Sequence, residues 1–283
     1  MSSVYHRSNN MTGLQLKQPK VSSKAYQVIR DFIYNEAGID LGESKQMLVS
    51  SRLNKRLRYH QLDSFDQYAE LLINNKSIET QMAIDLLTTN ETYFFREAEH
   101  FTALKQLALK DHPTERPFRL WSAASSSGEE AYSIAMVLDD FFGERAKWEI
   151  FGSDINTFVL EKAKKGLYQC LRIDAIPQDF LRKYCLKGVG EYEGFLLIDK
   201  KLQNKISFKQ INLTKPLPEV GLFDVIFLRN VLIYFDAKTK EKIIRSLISK
   251  LRPKGLLFIG HSESLKSMDL PIDLIRPTTY QKQ

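Results

Sequence analysis

Near residue 118 the hydrophobic period of this 283-residue chain changes, and the change limits the folds open to it. From there to about residue 260, short apolar runs of strand length alternate with amphipathic stretches of helix length. The runs fall at 118 to 123, 148 to 153, 206 to 211, 223 to 228 and 256 to 260. Helices are predicted at 129 to 142, 156 to 165 and 237 to 251, the last stopped by Pro253 and Gly255. Strands that are apolar nearly throughout are buried on both faces, and the intervening helices supply the cover. The pattern predicts a doubly wound, mostly parallel α/β sheet.

Upstream, from 22 to about 88, every periodic segment is helical. Four short stretches have Ser22 or Ser23, Ser44, Ser64 and Ser77 as candidate N-caps, and a further helical run spans 97 to 110. In the second stretch Val49, Leu53 and Leu57 recur at a spacing of four and form the expected buried stripe, with Arg52, Lys55, Arg56 and Arg58 mostly off it. Five basic residues and no acidic ones lie between Lys45 and His60. A solvated helix face explains this as well as an electrostatic dock for an acidic helix does. Residues 170 to 205 are too long for a simple connection and hold a glycine-spaced turn, KGVGEYEG at 187 to 194, which reads as a small inserted β element. The expected domains are therefore a flexible tail at 1–21, a helical domain at 22–90 and a sheet domain at 91–283.

A net charge of +7 favours an acidic partner without choosing among nucleic acid, a membrane surface and a protein segment. Cys170 and Cys185 match no metal-ligand or disulfide spacing. No signal-peptide run and no stretch of about 18 apolar residues occurs. A cytoplasmic protein without membrane insertion is expected.

The first strand runs into small residues from Ala123 to Ser127 and then Gly128, a turn that lets backbone pass close to a ligand. It lacks GxGxxG and GK[ST], which argues against pyrophosphate and leaves a nucleoside without phosphates. Glu129 and Glu130 follow; they would repel phosphate and attract a sulfonium, or simply stabilise a helix N-terminus. Asp154 ends the second strand, where a carboxylate accepts ribose hydroxyls or caps the next helix. Arg229, Asn230 and Tyr234 stand at and just beyond the C-terminal end of the fourth strand, where ligands bind in open sheets. Between the two domains, TTNETYFFREAEHF at 88 to 101 holds Asn90, Thr92, three aromatics and Arg96, whose guanidinium can grip a carboxylate. In combination these point to an adenosyl ligand, and S-adenosylmethionine is the common cofactor of that description.

The segments WSAASSSGEEAYSIAM, FFREAEHF, FGSDIN, FDVIFLRNVLIYFD and GLLFIGHSESL resemble those of the CheR chemotaxis methyltransferases. The resemblance runs from about Ala25 to Tyr280. It implies a class I S-adenosylmethionine-dependent methyltransferase domain, an N-terminal helical receptor-docking domain and a small inserted β subdomain. It implies esterification of glutamates on chemoreceptor cytoplasmic helices, with S-adenosylhomocysteine as product and no metal. Asn90, Thr92, Arg96, Glu130, Asp154, Asn212, Leu213, Arg229 and Asn230 would contact the cofactor, and Arg96 and Tyr234 would face the reaction. Arg52, Lys55, Arg56 and Arg58 would meet the receptor, and in some members a receptor C-terminal tether peptide binds the β subdomain. Ala124 and Ser125 depart from the family, where glycine and cysteine or alanines are frequent. Two rival readings are a nucleic-acid methyltransferase and a noncatalytic cofactor-binding module. LRNV at the fourth strand, in place of a proline-containing, aromatic-ended motif, argues against the first, and intact Arg96, Asp154, Asn230 and Tyr234 against the second.

Overall fold

The computed structural model describes residues 19–74, 78–110, 112, 115–143, 147–170 and 173–283, so the candidate cap Ser77 and the tail up to residue 18 lie outside the described residues. Four helices open the chain: α1 (Ser23–Ala37), α2 (Gln46–Tyr59), α3 (Phe65–Asn74) and α4 (Ile78–Leu87). Ser22 caps α1 by accepting the Ala25 N–H at 3.0 Å, and Gly38 ends it at φ 71°. Ser64 accepts the Gln67 N–H at 3.3 Å to cap α3. Ser44 does not cap α2, which begins behind Lys45, and the Lys45 N–H is taken instead by the Tyr26 hydroxyl at 3.2 Å. Ile29, Ile33, Val49, Leu53, Leu57, Phe65 and Leu72 close a core among these helices, with Ile155 from the sheet domain packed against it. Each such side chain contributes roughly 1.5–3 kcal/mol through burial.

Beside that core, buried Glu79 accepts hydrogen bonds from the Tyr68 hydroxyl at 2.6 Å and Arg56 Nε at 3.0 Å, with His60 Nε2 at 2.8 Å. Burial pushes its carboxyl up, but Arg56, Tyr68 and His60 more than offset that and hold it below the ordinary range. The basic face of α2 is divided as a result. Lys55 and Arg58 are exposed. Arg56 is engaged with Glu79, and Arg52 turns inward to the carbonyls of Leu87 and Thr88 at 2.8 and 2.9 Å. Two of the four basic side chains expected to face a partner therefore face the protein, because a buried carboxylate and orphan helix-end carbonyls cost more unpaired than the cations lose on leaving water.

A short helix, α5 (Glu99–Leu104), continued by a π-helical stretch at Lys105–Leu109, leads to the sheet. Strands β1 (Phe118–Ala123) and β2 (Trp148–Asp154) are joined by α6 (Glu129–Phe142), and α7 (Thr157–Lys165) follows β2. A small antiparallel sheet interrupts the alternation: β3 (Leu167–Gln169), β4 (Cys185–Lys187) and β5 (Phe195–Ile198), in the order β3-β5-β4, with α8 (Gln178–Tyr184) and α9 (Lys200–Gln203) at its margins. It begins upstream of residue 170. Gly188 in its hairpin is obligatory, since an added Cβ would lie 2.0 Å from the Tyr192 carbonyl oxygen. Then come β6 (Ile206–Gln210), β7 (Phe223–Leu228), α10 (Ala237–Ser249), β8 (Leu251–Ile259), β9 (Ile272–Arg276) and β10 (Thr279–Lys282).

The seven-stranded sheet has the order β6-β2-β1-β7-β8-β10-β9, parallel from β6 to β8. Successive residues face opposite sides. Leu120 and Val225 pack with α6, while Trp121 and Ile226 pack with α10. β8 starts before residue 256 and carries Pro253 and Gly255 within it, with a register shift against β7 between Phe223 and Val225. The β9–β10 hairpin was not foreseen; β10 lies antiparallel to β8, with Tyr280 opposite Leu257. Among the described residues no helix is long and apolar enough to cross a membrane.

Candidate active site

The chain winds outward from β1 through β2 to β6 and returns to β7 on the other side of β1. Ligands in open sheets sit beyond the strand C-termini where the winding reverses, and three connections meet there. The turn after β1 puts Ala124, Ser126 and Gly128 at φ 67°, 49° and 96°. Two non-glycine residues in that region store strain of the kind found at ligand sites. At Gly128 an added Cβ would lie 2.9 Å from both Ala163 Cβ and the Tyr168 hydroxyl, so only glycine fits.

That turn is locked to β2. Asp154 Oδ2 accepts the Ser126 N–H and Oδ1 the Asn156 N–H, each at 2.9 Å. Asn156, not Asp154, caps α7 through the N–H groups of Phe158 and Val159 at 2.9 and 3.1 Å. Helix capping therefore does not account for Asp154. Burial pushes its carboxyl up, against the pull of the backbone N–H groups.

Beyond β7, Arg229 is buried between two carboxylates, with Nη2 2.9 Å from Glu97 Oε2 and Nη1 3.0 Å from Glu130 Oε2. It also donates to the Arg96 carbonyl. Glu130 Oε1 accepts the Ser122 hydroxyl at 2.7 Å, and burial raises its pKa. Asn230, at φ 58°, donates from Nδ2 to Glu97 Oε1 at 3.0 Å. Burial would raise the Glu97 carboxyl as well, but Asn230 and Arg229 hold it at about 2. Behind this loop Glu263 accepts the N–H groups of Gly260, Leu232 and Asn230 at 2.7, 2.7 and 3.0 Å. Glu97 and Glu263 had no role in the sequence reading; the available signal was an arginine at a buried strand end, which requires a counter-charge.

The fourth wall is the segment between the helices and the sheet. Phe94 is fully buried, edge-on to Tyr168, whereas Tyr93 is exposed. Phe95 and Glu97 take φ 54° and 57°. The Phe95 N–H is held by Ser133 Oγ at 2.9 Å. Arg96 Nη1 donates to the Glu91 carbonyl at 2.8 Å, and its guanidinium lies 5.7 Å from the Tyr93 ring centre.

One cleft between α1–α4 and the sheet is lined by Asn90, Thr92, Arg96, Glu130, Asp154, Asn212, Leu213, Arg229, Asn230 and Tyr234. Glu130 lines it and Glu129 does not; Glu129 Oε2 accepts the Ser127 hydroxyl at 2.7 Å. Asp40, Lys45 and Leu48 also line it, from the connection between α1 and α2 and the start of α2, within the region expected to dock the receptor. Bonds that tie the halves together include Asn212 Nδ2 to the Glu36 carbonyl at 2.7 Å, the Asp40 N–H to the Tyr234 carbonyl at 3.0 Å and the Thr157 N–H to Asp85 Oδ1 at 2.8 Å. Lys55, Arg56 and Arg58 stand outside the cleft, as does Arg52. The lining suits an adenosyl sulfonium. Carboxylates stand at the turn and the strand ends, Ile155, Ile211 and Leu213 offer apolar walls, and Arg229 is already neutralised by Glu97 and Glu130.

A parallel sheet of this order with such a cleft at its reversal is that of a class I S-adenosylmethionine-dependent methyltransferase. Residues 90–280 match the family described as CheR methyltransferase, SAM binding domain, and residues 24–88 match the CheR methyltransferase all-alpha domain. The chain belongs to the CheR methyltransferase family. It is 42% identical over 271 residues to a chemotaxis protein methyltransferase of Salmonella typhimurium, covering 94% of this chain and 93% of the relative. A chemotaxis protein methyltransferase of Escherichia coli is 42% identical over 92% of this chain and 91% of its own length. Chemotaxis protein methyltransferase 2 of Pseudomonas aeruginosa is 39% identical over 90% of this chain and 91% of its own.

Proposed function

We propose that the protein methylates glutamate side chains on the cytoplasmic helices of chemoreceptors, giving glutamate methyl esters and S-adenosylhomocysteine. The observation that carries this reading is that Arg96 and Tyr234 line the same cleft as the adenosyl-type residues, at the face where the helical domain meets the sheet. When bound, S-adenosylmethionine supplies a methyl group on a sulfonium that an in-line carboxylate can displace. Asp154 would accept the ribose hydroxyls, and Asn90, Thr92, Asn212 and Leu213 would frame the nucleoside. Glu130, Arg229 and Asn230 form a rigid wall beside it. Arg96 and Tyr234 orient the incoming carboxylate. A carboxylate needs no general base, so the work of these residues is alignment and exclusion of water. Charge is lost along the reaction, and a full bidentate grip by Arg96 would favour the ground state. Its anchorage to the Glu91 carbonyl keeps part of the guanidinium engaged elsewhere. No metal is required for this chemistry.

In the same reading the protein is cytoplasmic, residues 22–90 dock the receptor, and exposed Lys55 and Arg58 meet its acidic helices. A receptor tether peptide would add to the edge strand β4, where Leu186, Val189 and Tyr192 are exposed. Tethering raises local concentration and compensates for weak capture at the cleft. The deciding measurement is transfer of radiolabelled methyl from S-adenosylmethionine to a chemoreceptor cytoplasmic fragment, followed by base treatment. Label released as methanol, and absent when the receptor glutamates are changed to alanine, is expected. Base-stable label, or label on RNA in place of receptor, would overturn the reading.

A further inference from the structure

Glu97, His100 and His261 bring one ligand atom each to within 4.8 Å of one another, and none of the three lines the cleft. His100 is 2% exposed, and its Nδ1 has no hydrogen-bond partner. That atom faces Glu97 Oε2 at 3.4 Å. The opposite ring nitrogen, Nε2, meets Thr278 Oγ1 at 2.7 Å, and the Thr278 hydroxyl donates to the Pro277 carbonyl at 2.7 Å. With its proton directed there, Thr278 Oγ1 accepts from Nε2–H, which leaves a lone pair on Nδ1 aimed at a carboxylate. Two acceptors facing each other in a buried space are unfavourable unless a cation stands between them. The third side is closed by His261, edge-on to His100 with ring centres 4.9 Å apart and Nε2 4.0 Å from Glu97 Oε2. Its side chain is 48% exposed and gives a path from solvent.

We propose that Glu97, His100 and His261 bind a first-row divalent cation, zinc being the best match, and that occupancy inhibits the cofactor site next to it. Two imidazoles and a carboxylate with one open position form a zinc donor set. Metal–ligand bonds of about 2.0–2.1 Å place tetrahedral ligand atoms about 3.3 Å apart, so the His100–Glu97 pair is already in position and only exposed His261 must swing inward. Thr278 supplies the outer hydrogen bond that fixes the tautomer of a ligating histidine. Inhibition follows from what Glu97 already holds. Its Oε2 pairs with Arg229 at 2.9 Å and its Oε1 with Asn230 at 3.0 Å, and both partners line the cleft. A divalent charge on that carboxylate repels the guanidinium and loosens this wall. The inhibitory part rests on reading the cleft as the cofactor site.

The test titrates the full chain with zinc chloride against a chromophoric chelator, and with cobalt(II) followed by visible absorption. One equivalent of zinc, a tetrahedral cobalt spectrum and a loss of about tenfold or more in zinc affinity for His261→Gln are expected. Metal-free His261→Gln should bind S-adenosylhomocysteine as wild type does, while saturating zinc should weaken that binding in wild type and not in the variant. Absence of stoichiometric zinc binding, or equal zinc affinity in His261→Gln, overturns the site. Zinc that binds without moving S-adenosylhomocysteine affinity overturns the inhibition. Failure of the metal-free wild type to bind S-adenosylhomocysteine overturns the cofactor reading instead, and the zinc titration still decides the metal site.

Discussion

A single guanidinium organises the end of the cleft beyond β7. Arg229 joins Glu97, from the segment before the sheet, to Glu130 at the start of α6, and its Nη2 also reaches the Arg96 carbonyl. The position of Arg96 is thus set through its backbone by a residue 133 places away. Arg96 and Tyr234 were legible in the sequence as polar groups flanking a strand end and a domain junction. Glu97 was not, because nothing local distinguishes it from any solvated glutamate. Tyr234→Phe keeps the ring and its packing and removes only the hydroxyl. With a hydrogen bond to a charged group worth about 1.5–3 kcal/mol, methyl transfer should slow by roughly 10- to 100-fold. S-adenosylhomocysteine affinity, measured by calorimetry, should hardly change; equal turnover of variant and wild type would remove Tyr234 from the reaction.

At the scale of elements, the loops after β7 and β8 are held by one carboxylate. Glu263 collects three backbone N–H groups from both, including that of Asn230 in its left-handed conformation. Burial pushes the Glu263 carboxyl up, against those same N–H groups. Glu263→Ala leaves the donors unpaired, and a loss of about 3 kcal/mol is expected in denaturant unfolding, together with weaker S-adenosylhomocysteine binding. The cluster around Glu79 does similar work among the N-terminal helices. The folded-state pKa of Glu79 is depressed, so its contribution is present above the ordinary carboxylate range and lost as pH falls through the depressed value. Wild type should therefore lose stability more steeply below about pH 4 than Glu79→Gln does, and the variant should be about 3 kcal/mol less stable at neutral pH. Parallel acid-unfolding curves for the two proteins would contradict this. Caps illustrate how far local reading reaches: Ser22 and Ser64 cap as their positions suggest, whereas Ser44 does not, because α2 begins one residue later, behind Lys45, whose N–H is taken by Tyr26, 19 residues away.

Across the whole molecule, the net charge of +7 is directed by what each cation has as a neighbour. Arg52 and Arg56 are held inward, and Lys55 and Arg58 remain on the surface of α2. Reversing both, Lys55→Glu with Arg58→Glu, should weaken methylation of a receptor fragment by tenfold or more at low salt and by less at high salt, since exposed charges are screened over about 10 Å at 0.1 M. Cofactor affinity should be unchanged. Unaltered receptor methylation would place the docking surface elsewhere. The periods of the hydrophobic pattern by themselves determined the helical opening, the alternation that makes a parallel sheet and the bounds of β1, α6 and β7, because those depend on residues only a few positions apart. They also marked the strand ends where ligands gather. Only the tertiary structure decided that β9 and β10 complete the sheet, which of the basic side chains of α2 stay in solvent, and that Glu97 and Glu263 brace the cleft. Each of those outcomes rests on a buried charge or an open strand edge finding its partner far along the chain, and no local pattern records that distance.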